Sequence, residues 1–271
     1  MLENPRAPRV REVARLAKRD ARSETGLFLL EGPQAVSEGL RFRPELLVEF
    51  YATPTALERH EELAQAAATA GLDVEFAAEQ VIAAMADTVT PQGVVAVCRQ
   101  FPTSVKDILG RGAAPRLVAI LQEVRDPGNA GTIIRAADAA GADGVILTGR
   151  SVDLYNPKVV RSSTGSIFHV PAATGAELAP VLQRAREAGL TVLAADIGGD
   201  DLLEAREAGL LAGPTAWLFG NEARGLSDAV LAAADRAIAV PIYGQAESMN
   251  LATAASVCLY ESAFSQRRAG A

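Results

Sequence analysis

The chain has 271 residues, 49% of them hydrophobic, 22% charged and only 5% aromatic, with a formal net charge of −7. That length suits one large domain or two modest ones of ~100–200 residues each, soluble and globular with a mostly aliphatic core. Two cysteines (Cys98, Cys258) and two histidines (His60, His169), widely spaced, argue against a disulfide scaffold and a Cys-based zinc site; no metal is expected, and little is left for a serine-type triad.

No apolar run reaches the ~18 residues of a membrane span. The opening MLENPRAPRV lacks the apolar stretch of a signal peptide, so a reducing cytoplasm is the expected compartment and no membrane partner is expected.

The N-terminal end is locally basic within an acidic chain. Arg6, Arg9, Arg11, Arg15, Lys18, Arg19 and Arg22 face Glu3, Glu12, Asp20 and Glu24. Two readings are open: a solvated helix face, or an electrostatic contact with a phosphate backbone. Arginine suits phosphate geometry, and on the second reading Arg9, Arg11, Arg15 and Arg22 are the candidate contacts to that backbone.

A first helix is expected over about 9–22. FLLEG (28–32) reads as a short strand, 34–40 as a helix and LLVEFYAT (46–53) as a strand. Pro54 opens a helix that Gly71 stops. LDVEF (72–76), a helix at about 78–85 and the strand GVVAVCRQ (93–100) close a first α/β block, domain 1–100. Residues 101–115, with Pro102, Gly110, Gly112 and Pro115, read as a linker.

A second α/β domain spans 116–271. LVAILQEV (117–124) is a buried strand, DPGNAG (126–131) a tight loop and TIIRAADAAG (132–141) a helix. Strands follow at 144–149, 167–173, 191–197, 215–220 and 236–242, with helices at 157–163, 176–188 and 249–264. This alternation predicts an α/β fold built on a parallel sheet with helices on both faces.

In such sheets ligands bind beyond the carboxyl ends of the strands. Three loops there have unusual composition: DPGNAG with Arg135 downstream, GNEARGLS (220–227) and YGQAESMNLATAA (243–255). Asn129 is also a turn and N-cap residue, and Arg135 also makes an i,i+3 pair with Asp138. Gly220 and Gly225 allow close backbone approach, while Glu222 and Arg224 also read as solvated loop charges. Ser248 or Asn250 caps the last helix. Neither GxGxxG nor a P-loop is present, which speaks against a Rossmann dinucleotide site.

Together these segments resemble the three motifs of the SpoU (TrmH) family of RNA 2′-O-ribose methyltransferases, in the SPOUT superfamily. The matching strings are NAGTIIRAADAAGADGVIL (129–147), LFGNEARGLS (218–227) and VPIYGQAESMNLATAASVCLYE (240–261). RSSTGSIFHVP (161–171) resembles the stretch between the first two motifs. TGLFLLEGPQAVSEGL (25–40) resembles the smaller L30e-like α/β substrate-binding domain that many members carry.

The resemblance implies a C-terminal trefoil knot, a homodimer through the knotted domain, and S-adenosylmethionine held in the knot. Its lining would include Thr148, Gly149, Leu218, Phe219, Gly220, Ile242, Met249 and Leu251. The family's polar site residues fall on Asn129, Arg135, Glu222, Ser248 and Asn250. SMNLATA stands where SLNVSVA is common, a mild departure.

Direct in-line attack of a ribose 2′-oxygen on the sulfonium methyl is then the implied chemistry, with no covalent intermediate. A guanidinium is a poor general base, so Arg135 is expected to anchor a phosphate and stabilise negative charge on the 2′-oxygen. The first domain favours rRNA, 23S in particular, over tRNA as the partner. The competing reading is a non-catalytic RNA-binding protein that retains the methyltransferase fold.

Overall fold

The structure, a computed structural model, describes residues 1–110 and 114–269. The first stretch of chain holds α1 (Pro8–Arg15), α2 (Arg19–Thr25), β1 (Leu27–Glu31), α3 (Pro33–Phe42), β2 (Leu47–Ala52), α4 (Pro54–Arg59), α5 (Glu61–Thr69), β3 (Val74–Phe76), α6 (Glu79–Met85) and β4 (Val94–Arg99). Next come α7 (Val105–Gly110), β5 (Leu117–Gln122), α8 (Pro127–Ala140), β6 (Gly144–Thr148), α9 (Pro157–Ser163) and β7 (Ala172–Ala176). The remainder is α10 (Leu178–Glu187), β8 (Thr191–Asp201), α11 (Leu202–Glu207), β9 (Thr215–Phe219), α12 (Asp228–Ala233), β10 (Arg236–Ala239) and α13 (Leu251–Ala269).

Two compact units emerge: Met1–Phe101 with Asp153–His169, and Pro102–Val152 with Val170–Ala271. Residues 153–169, expected in the second domain, therefore pack with the first. The expected linker 101–115 instead contains α7, whose Ile108 and Leu109 are buried in the second unit's core. Residues 111–113 of that stretch lie outside the described residues.

The first unit is built on a four-stranded sheet, order β1-β4-β2-β3. β4 runs antiparallel to both neighbours, and β2 pairs parallel with β3. The helix expected over 9–22 is two helices. α1 ends at Arg15, and the buried Arg22 guanidinium donates from one nitrogen to the carbonyls of Leu16 and Ala17, each at 2.8 Å. Those carbonyls lie just past the end of α1. The helix expected after Pro54 is likewise two, broken at His60 (φ −133°, ψ 58°).

The strand expected at 167–173 does not form as such. Thr164 (φ 51°) and Gly165 (φ 90°) turn the chain, Ser166–Phe168 make one 3-10 turn, and β7 starts only at Ala172. Phe168 stacks on Phe101 within the first unit, with ring centroids 5.5 Å apart.

The second unit has a six-stranded, wholly parallel sheet in the order β10-β8-β9-β5-β6-β7. β5 and β9 are apolar and buried almost throughout, as strands covered on both faces must be. Because every strand runs the same way, the loops after β5, β9 and β10 leave from one edge. These are the three loops singled out in the sequence.

Candidate functional site

Asp126 caps α8: its side chain accepts the Asn129 N–H at 2.8 Å, and Pro127 opens the helix. Asn129, expected at the cap, is thus in the first helical turn, and DPGNAG is mostly helix rather than loop. Pro fits the first helical position because its missing N–H is not needed there. Gly141 ends α8 in the left-handed region (φ 75°), and Ile133, Ile134, Ala137 and Ala140 are buried on its packed face.

The loop after β9 folds into a tight hairpin. Asn221 N–H donates to Gly225 O (3.2 Å) and Gly225 N–H returns to Asn221 O (2.8 Å). The Asn221 side chain accepts from the amides of Ala223 and Arg224 and donates to Glu123 O at 2.9 Å. Gly220 cannot be replaced without a shift, since a Cβ there would stand 2.6 Å from the carbonyl carbon of Gly225.

Glu222 joins this hairpin to the β5 loop. Its carboxylate accepts the amides of Asp126 (2.9 Å) and Arg125 (3.2 Å), with the Asn129 side-chain amide at 3.4 Å. Asn129 Oδ1 in turn accepts from Asn250 Nδ2 at 3.0 Å. Asn250 Oδ1 then caps α13 through the amides of Ala252 and Thr253, so of the two candidate caps it is Asn250. One hydrogen-bonded chain, Glu222–Asn129–Asn250, therefore ties all three loops together.

Beside it lies a cavity of about 400 Å³. Its walls are Ala195–Ile197 after β8, Phe219–Gly225 after β9, Ile238 and Val240 of the β10 end, and Ile242, Ser248, Met249, Leu251 and Ala254. Of the expected cofactor contacts, Phe219, Gly220, Ile242, Met249 and Leu251 are in this wall, and so is Ser248. Thr148, Gly149 and Leu218 are not. Thr148 ends β6 and Gly149 follows it, beyond β5 from the cavity, and Thr148 Oγ1 lies 2.6 Å from Gln122 Oε1. Leu218 points into the core with Ala194, Ala216 and Ile120.

Arg135 is exposed on α8 and is not in this wall. Six residues separate it from Asn129, roughly 9 Å along a helix axis. Hydrogen bonds thus bring together Glu222, Asn129 and Asn250, and Glu222 and Ser248 line the cavity; Asn129, Asn250 and Arg135 are not in its wall.

Among the expected RNA contacts, Arg22 is corrected. It is only 2% exposed, and its Nε and NH2 both reach Asp153 Oδ2, at 2.9 and 2.6 Å. With its third nitrogen on two carbonyls, it is a structural tie and not a surface for phosphate. Arg9 pairs with Glu12 and Glu49. Arg11 and Arg15 are exposed, with Arg15 3.6 Å from Glu24.

Sequence reasoning missed Glu123, Asn221 and Asp196. Glu123 is a non-glycine residue with φ 54°, a conformation held only where surroundings over-determine it. Its carboxylate lies 3.1 Å from Arg224 NH2. Nothing in the local string signals that backbone, whereas Asn221 stands inside the quoted GNEARG. Among the described residues no group of three or more His, Cys, Asp or Glu is placed to hold a metal, and no helix is long and apolar enough to cross a membrane.

A parallel α/β sheet whose strand-end loops enclose a small-molecule cavity defines an α/β ligand-binding enzyme fold. Residues 116–260 match the SpoU rRNA Methylase family, and 29–104 match the RNA 2′-O ribose methyltransferase substrate-binding domain. The chain belongs to the SpoU rRNA methylase family. It is 32% identical over 260 residues to the Bacillus subtilis 23S rRNA (guanosine(2553)-2′-O)-methyltransferase RlmP, covering 96% of this chain and 97% of that one. The AdoMet-bound rRNA methyltransferase of Sinorhizobium meliloti superposes with a TM-score of 0.82 at 31% identity, covering 96% of each chain. AviRb from Streptomyces viridochromogenes, solved with AdoMet, gives 0.79 at 29% identity, covering 97% of this chain and 98% of that one.

Proposed function

We propose that this protein transfers a methyl group from S-adenosylmethionine to a ribose 2′-hydroxyl of RNA, with 23S rRNA as the substrate. The observation that carries the proposal is the Glu222–Asn129–Asn250 chain, whose Glu222 lines a cavity of about 400 Å³. The relatives that are named 23S rRNA 2′-O-methyltransferases support it.

The residues fit that cofactor. The wall combines aliphatic side chains, Ile238, Val240, Ile242, Met249 and Leu251, with the backbone of a glycine-flanked hairpin. An adenosyl group needs both flat apolar surface and hydrogen-bonding groups. When bound, S-adenosylmethionine supplies a methyl group on a sulfonium, a good leaving group.

The protein's own residues then position and stabilise. Glu222 holds the amides of Arg125 and Asp126 and so sets where α8 begins. Asn129 and Asn250 fix the ribose-facing edge, and Ser248 holds the loop before α13. Arg135 binds the neighbouring phosphate and stabilises charge on the 2′-oxygen.

Its exposed place on α8, outside its own cavity wall, fits action in the site of a second copy. A homodimer through the second unit, a trefoil knot in its C-terminal part and a cytoplasmic location complete the reading.

The test is transfer of tritiated methyl from S-adenosylmethionine to 23S rRNA and to tRNA. Transfer to rRNA with none to tRNA supports the proposal; transfer to tRNA alone corrects the substrate, and cofactor binding without transfer to either refutes the activity. Mixing Arg135→Ala with Asn250→Ala protein tests the second copy. Activity recovered in the mixture means the arginine works across the pair.

A further inference from the structure

Strand β8 leaves its ladder in the middle. Leu193 and Ala194 pair with Arg236 and Ala237 of β10, and pairing resumes only at Asp200 and Asp201, opposite Ile238 and Ala239. Residues 195–199 bulge out between these two pairings. Gly199 closes the bulge against β10, where a Cβ would stand 2.4 Å from the Ala237 carbonyl carbon and the Ile238 nitrogen. Bulges of this kind re-aim side chains beside functional sites. Here the bulge carries Asp196 and Ile197 into the cavity wall.

Three charged side chains line the cavity: Asp196, Glu222 and Arg224. Two are committed. Glu222 accepts the Arg125 and Asp126 amides, and Arg224 NH2 lies 3.1 Å from Glu123. Among the described residues, Asp196 makes one hydrogen bond, accepting the Gly198 N–H on Oδ1 at 2.9 Å. That bond orients the carboxylate and leaves it acceptor capacity for a ligand.

The strand order β10-β8-β9-β5 places Asp196 between two unlike ends of the site, at roughly 4.8 Å per strand. On the β10 side are Ile238, Val240 and Ile242, an aliphatic surface for a flat ring. On the β9 and β5 side is the polar chain through Glu222 and Asn129. A methyl donor laid across these strands has its purine at the first end, its reacting methyl at the second and its ribose between them. We propose that Asp196 accepts hydrogen bonds from the 2′,3′-diol of the donor's adenosyl ribose. This rests on the methyl-transfer reading and specifies which side chain recognises the sugar.

The test compares S-adenosylhomocysteine with its 2′-deoxy analogue by titration calorimetry on the full chain, for wild type, Asp196→Ala and Asp196→Asn. Wild type should prefer the ribose form by about tenfold, the scale of a hydrogen bond to a charged group. Asp196→Ala should reduce that preference to within about twofold while binding the 2′-deoxy ligand as wild type does. Should Asp196→Ala not melt cooperatively, the near-isosteric Asp196→Asn carries the comparison, with a preference below that of wild type.

The inference is overturned by an unchanged preference in the folded variant, by equal loss for both ligands, or by no preference in wild type. If wild type binds neither ligand, the methyl-transfer reading itself fails.

Discussion

Arg22 in the first unit and Glu222 in the second are both charged groups held by several hydrogen bonds, yet one is buried and the other open to solvent. Arg22 joins α2 to Asp153 and to the end of α1, drawing a segment 131 residues away into the first unit. Arg161 does the same from α9, 2.9 Å from the buried Glu31. Glu222 joins two loops at the edge of a parallel sheet and reaches the third through Asn129, where backbone amides need partners and water can enter. A charge network in the first unit therefore fixes which segments belong to the fold. The network in the second fixes loop positions and leaves space beside them for a ligand.

The largest expected effect tests the buried end of this contrast. Asp153→Ala leaves the Arg22 guanidinium buried without its carboxylate and should lower stability by about 3–5 kcal/mol, read as the denaturant midpoint by circular dichroism. A loss under about 1 kcal/mol, the scale of exposed pairs, would place Arg22 with them. Next, Arg135→Ala should leave cofactor affinity unchanged and reduce turnover by about 10²–10³, the scale of removing one donor to developing charge. Asn129→Ala cuts the chain between Glu222 and Asn250; stability should fall by only about 1 kcal/mol, while methyl transfer drops further than the stability change accounts for.

A smaller effect is set by pH. Burial raises the Glu31 carboxyl above its ordinary 4.5, against the Thr88 amide and Arg161, which lower it. A raised carboxyl contributes stability below its unfolded value and loses it as pH climbs through the folded one. Glu31→Gln should therefore gain on wild type as pH rises above about 4.5, and titrated unfolding curves at several pH values check this. Least of all in energy, Cys98 and Cys258 should stay silent to a thiol reagent until the chain unfolds. Burial raises both thiols, Cys258 to about 12.

The three site loops were legible because parallel strands announce themselves as apolar runs and the polar strings after β5, β9 and β10 interrupt them. A cap at Ser248 or Asn250, and Gly220 at a close approach, follow from residue type, and only the structure selects Asn250 as the cap. Arg22 was not legible. An arginine in a basic helix reads as surface, and its partner Asp153 is identified only by long-range packing. Nor was the bulge at 195–199, since TVLAADI (191–197) alternates no differently from a paired strand. Glu123 illustrates the same limit, because its left-handed backbone is imposed by Asn221 and Arg224 from a hundred residues away. The apolar run at 167–173 misled because it is shared between the two units, parting after His169.

Strand β5, at residues 117–122, has β9, at 215–219, as a permanent neighbour, and the first unit includes residues as late as His169. During synthesis, then, neither half can be finished in the order in which it emerges. The first unit's strands are all made by Arg99, yet Arg22 must wait until Asp153 has left the ribosome. A nascent chain of this protein spends much of its elongation with its first interior incomplete, and a cut at its apparent linker would strip the first unit of residues 153–169.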